Sequence, residues 1–171
     1  MKRIRSLAPA NTLVLIAMVA FATIPARGSP KDSTLDAQIE HGLSGCAGVP
    51  PDKTAFGFVP PGFDYRVTAA GAVDVHPVSE AHRTFAGYWE KSFRRSAVSG
   101  AELSELKREL RVAGSLAVAW LLASESQIDE FLKEYKPGRP VTYEVALLGC
   151  TGSAGSFDAI MALKEFEVEG D

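Results

Sequence analysis

The sequence predicts an α+β domain in which a mostly antiparallel, curled sheet is accompanied by two or three amphipathic helices. Two observations predict this class. Alternating apolar and polar residues, which are typical of strands, recur in paired segments near both ends of the segment from 63 to 168. Between them lie segments whose apolar residues recur every three or four positions, as in helices. The 171 residues, 46% of them hydrophobic and 23% charged, are enough for one domain with a sizeable core.

The first 28 residues predict a secretory signal peptide. Three basic residues lie within Lys2–Arg5, an uninterrupted apolar run extends over Leu13–Ala22, and Ala26–Gly28 supplies small residues where a cleavage site needs them. The apolar run is shorter than the roughly 20 residues that a membrane-spanning helix requires. We therefore expect residues 1–28 to be removed and residues 29–171 to form a single secreted α+β domain, periplasmic or extracellular.

The charge of the mature chain disfavours nucleic acids and anionic lipid surfaces as partners. Removing residues 1–28 leaves 14 basic residues against 21 acidic ones, a formal charge of −7. Proteins that bind nucleic acids or anionic lipid surfaces carry a basic footprint, and this chain lacks one.

Two cysteines, Cys46 and Cys150, lie near opposite ends of the mature chain. In an oxidising compartment a lone pair of cysteines predicts one disulfide bond. The alternative is a pair of free, buried thiols. The segment Leu43–Cys46 resembles a lipidation motif, but it lies some twenty residues beyond the apolar run to which such a motif is joined, which argues against lipidation.

The first half of the mature chain predicts a helix and a hairpin. Apolar residues four apart predict a short amphipathic helix from Thr34 to Leu43. Alternation on both sides of a turn at Ala70-Gly71 predicts a hairpin over Phe63–His76. The segment Thr84–Ser96 fits either a helix or a strand, and its glycine and aromatic residues favour a strand.

The second half predicts two helices and three strands. Ser99 and Glu102 form a capping-box pattern in front of an amphipathic helix over residues 100–112. A nearly continuous apolar run predicts a strand buried on both faces. A second helix is predicted to begin at Ser126 and to end before Pro137, and a long hairpin closes the chain. The strands are Leu116–Leu122, Val141–Cys150 and Phe157–Val168.

The segments Gly87-Tyr88-Trp89, Leu148-Gly149-Cys150, Ser153-x-Gly155-x-Phe157 and Phe166-x-Val168 together resemble secreted bacterial OB-like domains of uncharacterised function. The resemblance covers roughly the last 85 residues and implies a small curled barrel. OB domains bind nucleic acids or sugars on their second and third strands and the adjoining loops. With nucleic acid disfavoured by charge, the resemblance implies a protein, peptide or glycan ligand.

Four residues form a candidate metal site: Asp74 and His76, followed by Glu80 and His82. In an extended chain each acid and its histidine, two residues apart, point to one face, and imidazole with carboxylate suits a transition metal such as zinc. The alternative is a solvated turn, which Pro77 favours.

An aromatic and arginine cluster provides a candidate binding surface. Tyr88, Trp89, Arg94 and Arg95 are of the types enriched at binding hot spots, although such aromatic residues equally suit a core. No serine-nucleophile elbow, phosphate-binding loop or ranked carboxylate pair is present in the sequence, so we assign no catalytic residue and no cofactor.

These observations predict an exported, disulfide-closed, non-catalytic binding or interaction module of the cell envelope, with a protein, peptide or glycan as its partner. The alternative is a small metal-assisted hydrolase that uses His76, His82 and nearby carboxylates.

Overall fold

The computed structural model describes residues 15–18, 31–34, 55–70, 73–93, 103–113, 118–153 and 156–170. These residues form nine strands, two helices and one short 3₁₀ turn. In chain order they are β1 (Leu15–Met18), β2 (Lys31–Thr34), β3 (Ala55–Phe58), β4 (Asp64–Ala69), β5 (Val73–Pro77), α1 (Glu80–Phe93), the 3₁₀ turn (Leu103–Glu105), β6 (Arg108–Ala113), β7 (Val118–Ala123), α2 (Glu125–Glu134), β8 (Val141–Ser153) and β9 (Ser156–Val168).

The strands form one mixed sheet. Seven of them follow one another in the order β1–β3–β8–β9–β7–β6–β5, while β4 joins beside β8 and carries β2 on its outer side. Five of the eight strand pairs are antiparallel, and the parallel pairs are β1 with β3, β2 with β4, and β7 with β9. The predicted α+β class with a mostly antiparallel sheet is therefore confirmed.

Each face of the sheet is covered by one helix, which divides the core into two clusters. In the α1-side core, Phe85 and Trp89 pack against β3 and against Leu122 of β7. In the α2-side core, Ile128 and Phe131 pack against the opposite face. Because β7 lies inside the sheet, its successive residues are buried on alternate faces, as the apolar run predicted.

The β8–β9 hairpin is the longest pairing, and it confirms the predicted C-terminal hairpin. The pairing shifts at two points along its length, between Glu144 and Val145 and between Leu147 and Gly149. At the first shift, Lys164 of β9 is the extra residue of a β-bulge, since its two neighbours pair with adjacent residues of β8.

Gly149 allows β3 to lie close to β8. Its φ is +141°, and a Cβ atom at this position would overlap the carbonyl oxygen of Gly57 in β3. Only glycine combines this backbone conformation with so close an approach.

The predicted hairpin over Phe63–His76 is wrong in its pairing, although both of its strands form. β4 lies between β8 and β2, whereas β5 pairs with β6 at the far end of the sheet. Local alternation predicts that a segment is a strand, but it does not identify the neighbour of that strand.

Two further elements differ from prediction. The segment Thr84–Ser96 is predicted to be a strand, but up to Phe93 it belongs to helix α1. Phe85 and Trp89, four residues apart, are buried on one helical side, and the ring of Trp89 contacts that of Phe93. The predicted helix over residues 100–112 is instead the 3₁₀ turn followed by strand β6. The leucines of this predicted helix do not share one face: Leu103 and Leu106 lie in the α1-side core, and Leu110 lies in the α2-side core.

Helix α2 forms where it was predicted but begins slightly earlier. Its N-cap is Ser124 rather than Ser126, and Gln127 completes a capping box with it. The side-chain amide of Gln127 also donates to the carbonyl oxygens of Leu163 and Lys164, both at 3.1 Å, which fixes the start of α2 against β9.

The described strands form an open sheet, with β5 at one end and β1 and β2 along the other, so the closed OB-like barrel is not observed. Of the helix predicted from Thr34 to Leu43, the described residues include only Thr34, which ends β2. No helix among the described residues is long and apolar enough to span a membrane.

Candidate binding groove beside the first helix

The N terminus of α1 is held to the sheet by Glu109 of β6. This carboxylate is 3% exposed, and its Oε2 accepts a hydrogen bond from the backbone N–H of Ser79 at 3.1 Å. The same oxygen is hydrogen-bonded to Nδ1 of His82 at 2.7 Å. The Ser79 hydroxyl accepts the backbone N–H of His82, as an N-cap does. The first turn of the helix is thus tied to a strand by one buried acid.

The candidate metal ligands are distributed around this junction. His82 is buried and hydrogen-bonded to Glu109, while His76 is exposed on β5, opposite Glu109 in the ladder. Asp74 is exposed and lies 3.9 Å from the guanidinium of Arg111. Glu80 is exposed at the start of α1. Within the described ranges, no group of three or more His, Cys, Asp or Glu residues is arranged to hold a metal ion.

The indole ring of Trp120 lies close to both histidine rings. The ring of Trp120 on β7 lies 5.3 Å from the ring of His82 and 6.1 Å from that of His76, measured between centroids. Its Nε1 is buried and hydrogen-bonds to no described residue. The sequence offered no signal for this contact, because positions 82 and 120 are joined only by the fold.

The candidate aromatic surface is only partly exposed. Trp89 is 1% exposed, and its Nε1 donates to the carbonyl oxygen of Val59 at 2.9 Å, so it belongs to the core. Tyr88 is half-buried, with its ring 6.0 Å from that of Phe56 and 5.7 Å from the ammonium group of Lys91. Arg94 and Arg95 lie outside the described residues.

The recessed groove lies on the other flank of α1. It has a volume of about 410 Å³ and runs between the helix and the segment that contains the 3₁₀ turn. Its apolar residues are each less than a tenth exposed, which makes it a cleft rather than a flat patch. They are Val78, Ala86, Leu103, Leu106 and Leu122.

Charged groups surround this apolar floor. Arg83 and Glu90 line the helix side, and Lys107 lines the opposite side. The guanidinium of Arg83 donates to the carbonyl oxygen of Val78 at 3.1 Å, which holds its stem along the groove. An apolar floor with a few polar groups at its rim is the usual composition of a ligand site.

Gly87 opens the groove from the helix side. A Cβ atom built at this position would meet nothing within 4 Å. The lining positions 83, 86, 87 and 90 recur at helical spacing, and this pattern could have revealed the groove. It was missed because the segment was expected to be a strand.

A second polar cluster lies on the sheet at Lys164. Its ammonium group donates to Asp64 at 3.1 Å and to Glu144 at 3.2 Å. Partial burial disfavours the charged amine and opposes the effect of its partners, but the hydrogen bonds and charges of the two carboxylates outweigh it, so the pKa of Lys164 is raised. The cluster ties β4, β8 and β9 together across the bulge.

Cys150 is fully buried on β8. Its expected disulfide partner, Cys46, lies outside the described residues, so the Cys46–Cys150 bond stays a prediction. The ladder places Cys150 opposite Gly57 of β3 and Ala159 of β9.

No family model matches this chain, and no curated protein is significantly similar to it.

Proposed function

We propose that this chain is an exported, disulfide-closed, non-catalytic binding module of the cell envelope, and that the groove beside α1 is its ligand site. The observation that carries the proposal is the recessed apolar floor with charged residues at its rim. The acidic charge and the sequence pattern of residues 1–28 support the location and disfavour nucleic acid as a partner.

The groove favours a protein or peptide ligand over a glycan. Its floor supplies methyl and methylene groups, on which a sugar would bury hydroxyl groups without hydrogen-bond partners. An apolar side chain buried there gains about 25 cal/mol for each Å² removed from water. The ligand is therefore a segment that inserts one or two apolar side chains beside Ala86 and Gly87.

The test uses 8-anilinonaphthalene-1-sulfonate, an apolar ring system with one anionic group, as a fluorescent probe of the groove. The wild-type protein is compared with Gly87→Leu, whose side chain fills the open space, and with the matched control Gly87→Ala, which adds only a methyl group. Both variants replace glycine inside a helix, so each should raise helix stability by about 0.5–1 kcal/mol if it alters nothing else.

We expect wild type and Gly87→Ala to bind the probe with similar, saturable affinity and Gly87→Leu to bind it at least about tenfold more weakly. Thermal unfolding of each variant shows whether the fold is retained. Equal probe binding by all three folded proteins would contradict the groove as a site.

The metal-assisted hydrolase has weaker support. His82 is already committed to Glu109, and the other three candidate ligands are exposed. A site that held a metal in the native protein would lose stability on chelation, because a ligand bound only by the native state adds to its stability. We expect an unchanged melting temperature with and without a chelator.

A further inference from the structure

At one edge of the sheet, four strands form two successive rows beside β8: an inner row that pairs with β8 and an outer row that pairs with the inner one. β8 is long enough to pair with β4 through residues 141–146 and with β3 through residues 149–152. Outside β4 lies β2, and outside β3 lies β1. The outer row therefore consists of β2 and β1, each in parallel pairing with the strand inside it.

The predicted cleavage divides this outer row. β1 (Leu15–Met18) lies within residues 1–28, whereas β2 (Lys31–Thr34) begins three residues after the predicted cleavage point. Removal of residues 1–28 takes β1 away from β3 and leaves β2 on β4. We propose that this processing uncovers a strand-acceptor edge, the side of residues 55–58 that faced β1, and that an extended apolar segment of a partner polypeptide binds there in parallel, in the place of β1. The inference rests on the export in the proposed function but not on the groove.

The remaining contacts keep β3 in place after cleavage. Its other side stays paired with β8, at the close approach that Gly149 permits. Phe56 and Phe58 are 4% and 3% exposed, and the ring of each lies within 6 Å of the ring of Phe85 in α1. The described residues of both core clusters lie between Phe56 and Val168, beyond the predicted cleavage point. Cleavage therefore leaves both helices, these core residues and the β3–β8 pairing in the chain.

An uncovered edge presents backbone N–H and C=O groups that a second strand can satisfy. Unpaired edges are sites of strand addition, and main-chain hydrogen bonds supply most of the affinity in that mode. In this protein the edge is short, which limits pairing to about four residues, as with β1.

The register identifies the kind of segment that fits. β1 reads Leu-Ile-Ala-Met and has no charged residue. A residue opposite Phe56 lies on the α1 face of the sheet, where the half-buried ring of Tyr88 is 6.0 Å from that of Phe56. An apolar residue at this position of the incoming strand completes that aromatic group.

Symmetry argues against a second copy of the same edge as the occupant. Two identical edges related by a two-fold axis pair antiparallel, because the axis reverses the strand direction. The pairing of β1 with β3 is parallel. A different polypeptide segment therefore fits better than a dimer through β3.

The test begins with the exported protein, whose N terminus is read by intact mass measurement. The probe is a fluorescent peptide that copies residues 11–22, with terminal lysines added for solubility. The control peptide carries Ile16→Pro and Ala17→Pro, which removes an N–H facing β3 whichever of the two positions supplies it. Unprocessed chain 1–171 and processed chain 29–171, refolded in the same oxidising buffer, provide the occupied and the vacant edge.

We expect the processed chain to bind the first peptide at least about tenfold more tightly than the proline peptide. It should also bind that peptide at least about tenfold more tightly than the unprocessed chain does. Hydrogen exchange of residues 55–58 should slow when the peptide binds, while residues 73–77 at the opposite end of the sheet stay unchanged. Gly87→Leu should bind the peptide as wild type does, which separates this site from the groove.

Three results would overturn the inference. Equal binding by processed and unprocessed chains would show that the peptide does not use the edge that β1 covers. A folded, processed chain that binds neither peptide, or that pairs only with itself, would remove the proposed partner while leaving export intact. An exported protein that retains residues 1–28 would contradict both the uncovered edge and the predicted processing.

Discussion

The phenol of Tyr143 lies on β8 in the α2-side core, fully buried, and its hydroxyl hydrogen-bonds to no described residue. Its ring is 6.3 Å from that of Phe131, and Phe131 is itself stacked on Tyr135. Burial raises the pKa of Tyr143, and the neighbouring Tyr135 adds to this rise. A hydroxyl that loses its water partners without a replacement is a local cost, and the aromatic packing around it offsets that cost.

Replacing this hydroxyl tests its role. Tyr143→Phe should change the free energy of unfolding at pH 7 by no more than about 1 kcal/mol and in the stabilising direction, since it removes a buried group without a partner. Above pH 10 the unfolded wild type loses the phenol proton while the folded state keeps it. Above pH 10, Tyr143 therefore lowers the free energy of unfolding by about 1.4 kcal/mol for each pH unit.

Urea unfolding from pH 8 to pH 11 measures this slope. Lys164, whose pKa is also raised, contributes in the same direction and is present in both proteins. Tyr143→Phe should thus show the shallower alkaline decline, and Tyr88→Phe, at a half-buried position of α1 on the other face of the sheet, serves as the control. An unchanged slope in Tyr143→Phe would show that the phenol ionises as readily in the folded protein as in the unfolded one.

Among the secondary-structure elements, α1 and β6 are the two whose type the sequence pattern predicted wrongly, and they contact each other through Glu109. Glu109 would lie on the wet face of a helix over residues 100–112, but it lies instead under the first turn of α1. β6 is held between β5 and β7, so its residues gain sheet hydrogen bonds on both sides. Pairing with two strands outweighs the weak intrinsic preference that the leucine spacing expressed.

Glu109→Ala should detach the N terminus of α1. The backbone N–H of Ser79 and Nδ1 of His82 would each lose a buried acceptor, which costs about 2–3 kcal/mol. Urea denaturation followed by tryptophan fluorescence measures the loss, since Trp89 lies in α1 and Trp120 lies beside His82.

Glu167→Ala is the matched control for that experiment. Glu167 makes an exposed ion pair with Arg66 at 3.3 Å, and such pairs contribute less than about 1 kcal/mol. Equal losses in the two variants would show that Glu109 does not anchor the helix.

At the scale of the whole molecule, the sheet brings together segments that are far apart in sequence. β3 and β4 lie along one side of β8, and β7 lies beside β9 with α2 and β8 between them in the chain. Folding must therefore close long loops before these pairs form. A covalent link between Cys46 and β8 would lower that entropic cost.

The predicted disulfide between Cys46 and Cys150 would supply this link. Closing a loop of roughly 100 residues contributes up to about 4.7 kcal/mol in the chain-entropy model. We expect peptide mapping without reductant to join the two cysteine peptides, and Cys46→Ser to lower stability as much as reduction lowers that of wild type. Two thiols titrating in the unfolded, unreduced protein would contradict the bond.

Local sequence patterns were sufficient to predict the α+β class, strand β7, helix α2 and the β8–β9 hairpin. Each of these rests on an apolar run, a capping serine with a helical stripe, or alternation around a turn. Local patterns did not predict the neighbours of β4 and β5, the identities of α1 and β6, or the groove. These depend on which distant residue buries or pairs with each side chain, as Glu109 does with His82. In such places packing and pairing free energies exceed the local preferences that a sequence pattern expresses.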